Sequence, residues 1–171
     1  MSEHVNDNCD HKTVINTPVD ATIGSRIIEE GFGPGAWHAA DLRAAIAGVT
    51  AKDALWRPGS GRHNIAEVVV HHAGCVRSVI GQLTGIDEPA FPLEGSDWYE
   101  ISNERKIKWS TIVDLVESQH ARLAEVVSEI GNGVRTSPLS DAERFDLILG
   151  VTCHAVYHAG QIQLVKVLNA K

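Results

Sequence analysis

The chain has three cysteines, Cys9, Cys75 and Cys153, and no C-x-x-C pair in its 171 residues. An odd, scattered set argues against a disulfide framework, and the count excludes a four-cysteine zinc site. No apolar run approaches the roughly 20 residues that span a bilayer, so no membrane partner is expected. Clustered Lys and Arg are also missing, and the net charge is -7. Phosphate backbones need concentrated positive charge, so a nucleic-acid partner is not expected either. The opening stretch MSEHVNDNCDHKTVINTPVD lacks the basic start and apolar core of a secretory signal. Together with the cysteine usage, this makes a cytoplasmic protein the expectation.

What the chain does have is apolar periodicity and histidine. A hydrophobic share of 43% against 22% charged residues excludes wholesale disorder, and the length suits one domain. Residues 1–19 are polar and acidic and are expected to form a flexible arm, leaving 20–171 as a single helical unit. ATIGSRIIEEGF forms a short helix stopped by Gly31, Gly33, Pro34 and Gly35. AWHAADLRAAIAGVT continues with Leu42, Ala45, Ile46 and Val49 at helical period, and Thr50 with Asp53 caps a further turn. Asn64 and Glu67 make a capping box for a helix reaching Gly85, with Ile65, Val69, His72, Val76, Val79 and Leu83 on one stripe. Residues 86–100, broken by Pro89, Pro92 and Gly95, read as a long connection. An amphipathic helix is expected from Glu104 to Gly131, and Ser140 with Glu143 caps the last one. The pattern predicts an all-α, up-down four-helix bundle with one long crossover and short additional helices.

The nine histidines carry the candidate chemistry. His154 and His158 share a stripe with Leu147, Val151, Ile162 and Val165, so both face the bundle interior one turn apart. Two such imidazoles can each offer a nitrogen to one ion, with zinc–nitrogen bonds near ~2 Å. The same spacing occurs in H-E-x-x-H zinc proteases, but Ala155 stands where their glutamate would be. Inward histidines can equally be core residues bonded to backbone or water. A metal site needs a third ligand from another helix, and EVVVHHAG supplies His71 and His72. Wheel position alone favours His72 as the inward residue, with His71 at the edge of the stripe beside Val68 and Cys75. His38 opens a helix, where it can line a pocket or serve structure. His63 can anchor a helix start. His120, among Glu117, Gln119 and Arg122, is expected on a solvated face.

GAWHAADLRAAIAGVTAKDALWRP, RHNIAEVVVHHAG and HAVYHAGQIQLVK, in that order, resemble the DinB/YfiT-like superfamily of metal-binding four-helix bundles across about 36–168. The resemblance implies one ligand on the second bundle helix, six residues after its opening aliphatic. From Ile65 that count reaches His71, and the remaining ligands match His154 and His158. There are two departures. His72 stands where relatives carry an apolar residue, and Cys75 replaces an aromatic common among them, which makes Cys75 a candidate soft ligand or a small core residue.

Three neutral imidazoles leave a coordination position open, as catalytic zinc sites do. Zinc and nickel rank first, and manganese and iron also accept such ligands. Glu67 and Gln161 are the nearest candidates to orient the imidazoles, although a helix cap and an interhelical bond explain them equally well. The resemblance implies a metal-dependent enzyme. Its reaction would be transfer of a low-molecular-weight thiol to a small electrophilic substrate, or hydrolysis. Dimerisation through helix faces is also implied. The alternative is a non-catalytic metal-binding bundle for stress response or ligand binding.

Overall fold

A computed structural model describes residues 21–34, 36–37, 41–89, 91–93 and 98–170. The expected arm over 1–19 and His38 lie outside the described residues. The described residues form six helices and no strand: α1 Ala21–Phe32, α2 Leu42–Ile46, α3 Ala51–Leu55, α4 Ile65–Thr84, α5 Trp109–Gly131 and α6 Asp141–Asn169. α1, α4, α5 and α6 make the bundle. Each of α1 and α4 packs on both α5 and α6, so α1 stands diagonal to α4. None of the described helices is long and apolar enough to cross a membrane.

Local chemistry sets the ends of the helices. Asn64 accepts from the Glu67 amide, and the Glu67 carboxylate reaches back to the Asn64 amide. Ser140 and Glu143 repeat this at α6. Gly85 ends α4 at φ 67°, a left-handed conformation that L side chains resist.

Two boundaries differ from the sequence expectation. Of the helix read through 36–50, the described residues hold α2, which starts where Asp41 caps the Ala44 amide and stops before Gly48 turns the chain at φ 70°. α5 begins at Trp109 rather than Glu104. The Glu104 carboxylate accepts from the Trp109 amide at 3.0 Å, so the acidic residue serves the start of the helix from outside it. The crossover therefore runs from 86 to 108. It is tied down at Ile101, whose N–H donates to Glu67 (2.8 Å) and whose carbonyl accepts from the Asn64 side chain (2.7 Å).

The apolar interior is divided in two. One cluster includes Ile65, Val69, Ile112, Val116, Ala155 and Ile162. The other holds Ile28, Val76, Ile80, Leu83, Leu123 and Val151. On α5 and α6 the chain passes from one cluster to the other across a histidine, His120 and His154, while on α4 His71 and His72 lie just before the boundary, with Ala73 of the first cluster between them and Val76 of the second. Gly31 brings α1 against α6 at this level. A Cβ there would lie 2.9 Å from the Ala155 Cβ and 3.1 Å from the Thr152 carbonyl oxygen.

Candidate metal centre

Successive helical residues point about 100° apart, so His71 and His72 cannot share one direction. His72 is fully buried at the centre of the α4 stripe, while His71, at the edge, is 8% exposed. α6 brings His154, half-buried, and His158, buried, to the same level one turn apart.

The ring nitrogens converge. His154 Nε2 lies 3.1 Å from His71 Nε2 and 2.9 Å from His158 Nε2. One ligand atom from each of the three residues falls within 4.8 Å of the other two. Nitrogens sharing a tetrahedral zinc, at bonds of about 2.0–2.1 Å, stand about 3.3 Å apart, so this trio fits a single first-row ion. The orientation of His158 agrees. Gln161 Nε2 donates to the Tyr157 hydroxyl oxygen at 2.9 Å, which turns Gln161 Oε1 toward His158 Nδ1, 2.6 Å away. His158 therefore holds its proton on Nδ1 and presents the Nε2 lone pair to the cluster. Burial, against the opposing Gln161 bond and with the help of the neighbouring His154 and His71, pushes the His158 pKa down to about 4. At neutral pH it is a free base, the form that binds a cation.

His72 also meets His154, but through the opposite nitrogen: Nδ1 to Nδ1 is 2.8 Å. The wheel and the resemblance thus picked out two different contacts of His154. His71 lies on its Nε2 side, within the candidate trio, and His72 on its Nδ1 side, in the core.

The other candidates distribute as follows. Cys75 Sγ lies 3.9 Å from His71 Nε2 and 4.0 Å from His154 Nε2. A sulfur and a nitrogen on one tetrahedral zinc stand about 3.6 Å apart, so Cys75 borders the trio. Glu67 is committed elsewhere. Its carboxylate pairs with both terminal nitrogens of the Arg57 guanidinium, takes the Ile101 amide and sits 3.1 Å from His63 Nδ1. Burial raises its pKa, yet Arg57, Ile101 and His63 together hold it below the ordinary carboxylate value.

Two residues escaped the sequence reading. His120 is buried, not solvated. It stacks on Phe32 with centroids 3.9 Å apart, and its Nε2 lies 2.8 Å from His72 Nε2. Its polar neighbours in sequence concealed the α5 stripe of Ile112, Val116, His120 and Leu123, which would have revealed it. Burial, helped by the Arg43 charge, pushes its pKa down to about 3. Trp98, on the crossover, stacks on His71 at 4.1 Å and on His63 at 3.8 Å. No periodicity announces a contact made from a loop.

Fold and site together define a class: a helical bundle whose facing helices bring three histidines to one candidate metal centre. A family model for the DinB superfamily matches residues 36–162, and the chain belongs to that superfamily. Neither a curated protein nor a solved structure matches it.

Proposed function

We propose that the chain binds a divalent first-row metal through His71, His154 and His158, with zinc or nickel as the leading candidates. We further propose that it uses this centre on a small electrophilic substrate, by transferring a low-molecular-weight thiol or by hydrolysis. The observation that carries the reading is the convergence of three buried or half-buried imidazoles, at 3.1 and 2.9 Å, in a superfamily of metal-binding bundles. A bound divalent ion supplies Lewis-acid character, lowering the pKa of a water or thiol toward neutrality. The chain's own contribution is orientation: Gln161 holds the His158 lone pair inward, and Trp98 covers one face of His71.

Elemental analysis of untagged protein, with His71→Ala, His154→Ala and His158→Ala alongside, tests the site. One metal equivalent in the wild type, lost in each variant, is expected; a metal-free wild type overturns the reading. Thiol- and metal-dependent consumption of an alkyl halide or epoxide then tests the reaction.

Cys75 favours a second reading. Its sulfur, near two of the three ligand nitrogens, is a candidate fourth protein ligand, and a site closed by four protein ligands is structural rather than catalytic. A Cys75→Ala protein that gains turnover or an exchangeable water would favour that reading. A cytoplasmic setting and a second copy of the chain remain part of the proposal. Exposed Leu149, Val156, Tyr157, Leu164 and Val167 on α6 offer an apolar face for such a copy, and light scattering of the eluted protein tests it.

A further inference from the structure

Beyond the ligand trio, a line of imidazoles crosses the bundle from α6 through α4 to α5. His154 Nδ1 meets His72 Nδ1 at 2.8 Å, and His72 Nε2 meets His120 Nε2 at 2.8 Å. His72 is fully buried and His120 nearly so. At the far end, His120 Nδ1 has no hydrogen-bond partner among the described residues, and Phe32 stacks on the ring. Each contact is a hydrogen-bond distance between two nitrogens, so each holds one proton. A neutral imidazole carries a single N–H, and fixing it on one ring therefore fixes it on all three.

Without an ion, the direction is set by Gln161. It keeps the His158 proton on Nδ1, so His154 donates from Nε2 across the 2.9 Å contact to His158, and His71 Nε2, 3.1 Å from the same nitrogen, faces that N–H as a second lone pair. His154 Nδ1 then accepts from His72 Nδ1–H, and His72 Nε2 accepts from His120 Nε2–H. With an ion on His154 Nε2, the proton of that ring must sit on Nδ1. His72 then accepts there and donates from Nε2, and His120 carries its proton on the orphan Nδ1. We propose that His72 and His120 are positioning residues, an imidazole relay that sets the tautomer of His154 and reverses when the metal binds. This rests on the metal reading above. Every ring keeps one proton in both states. One proton leaves His154 Nε2 for solvent, the shared protons cross the two N···N contacts, and one proton is taken up at His120 Nδ1.

The test uses the full chain labelled with ¹⁵N-histidine, without metal and with one equivalent of Zn²⁺. Two-bond ¹⁵N–¹H spectra, assigned for His120 by the signals lost in His120→Phe, read the tautomer directly. The expected result is Nε2–H in the metal-free protein and Nδ1–H in the zinc-loaded protein. One tautomer in both states overturns the relay. His72→Phe, which keeps a planar ring but removes the acceptor, is expected to weaken Zn²⁺ binding 10- to 100-fold in chelator competition. Unchanged affinity in a folded His72→Phe protein removes its positioning role. If that variant fails to fold, the wild-type spectra decide alone. Failure of the wild type to bind Zn²⁺ sinks the metal reading itself, whereas binding without a tautomer change sinks only the relay.

Discussion

Gln161 shows how much one amide can decide. Its NH₂ donates to the Tyr157 hydroxyl oxygen and its own oxygen faces His158 Nδ1, an orientation that turns the Nε2 of His158 to the cluster. Gln161→Leu should leave the fold in place and weaken Zn²⁺ binding about tenfold, measured by chelator competition, because the ring loses the acceptor that fixes its tautomer. Tyr157→Phe should have a smaller effect in the same direction. The buried imidazoles also make a pH prediction. His158 and His120 have folded-state pKa values of about 4 and about 3, below the 6.5 of an exposed histidine. As the pH falls below 6.5, the unfolded chain takes up protons before the folded one does. The stability these rings permit is whole above 6.5, shrinks as the pH falls toward 4 and 3, and is fully lost below those values. Denaturant titration of the metal-free protein at pH 7 and pH 5 should show a loss of about 1–2 kcal/mol per ring, and His120→Phe should reduce it.

At the scale of the element, the crossover and the α1–α6 contact carry the most weight. Glu67 starts α4 and fastens Ile101 of the crossover with the same carboxylate, and Trp98 three residues earlier covers His71. Glu67→Gln should destabilise by about 1–3 kcal/mol, since a buried carboxylate with several donors is replaced by a neutral amide beside a charged Arg57. Hydrogen exchange in 98–108 should rise more than in α4, and equal acceleration in both would count against the fastening role. Gly31→Val should cost about 1–3 kcal/mol in thermal or chemical unfolding, because the added carbons meet Ala155 and the Thr152 backbone.

This scale also shows why some features were legible in the sequence and others were not. The Asn64–Glu67 and Ser140–Glu143 boxes were legible because capping is settled within four residues. His154 and His158 were legible as an inward pair because helical period fixes direction. The start of α5 was not, because Lys108 makes no side-chain cap and apolar Ile107 extends the amphipathic pattern past the true end. The His71–Trp98 stack was not, because it depends on where a long irregular segment returns.

For the whole molecule, the candidate centre joins α4 to α6, two helices far apart in sequence. Metal binding to the folded chain alone should therefore stabilise it. At a free Zn²⁺ concentration 100 times the Kd the gain is about 2.7 kcal/mol, and EDTA should lower the melting temperature by roughly 5–10 °C. An unchanged melting curve would mean that no ion bridges these helices. The histidine layer near the boundary of the two apolar clusters has one more consequence, and it concerns register. An aliphatic bundle can slide by one turn, about 5.4 Å, and still bury hydrocarbon against hydrocarbon. Here a slide of α4, α5 or α6 would set imidazoles against Val, Leu or Ile and leave their nitrogens without partners in the interior. The layer acts as a key cut at a single height, so these three helices close fully in only one alignment.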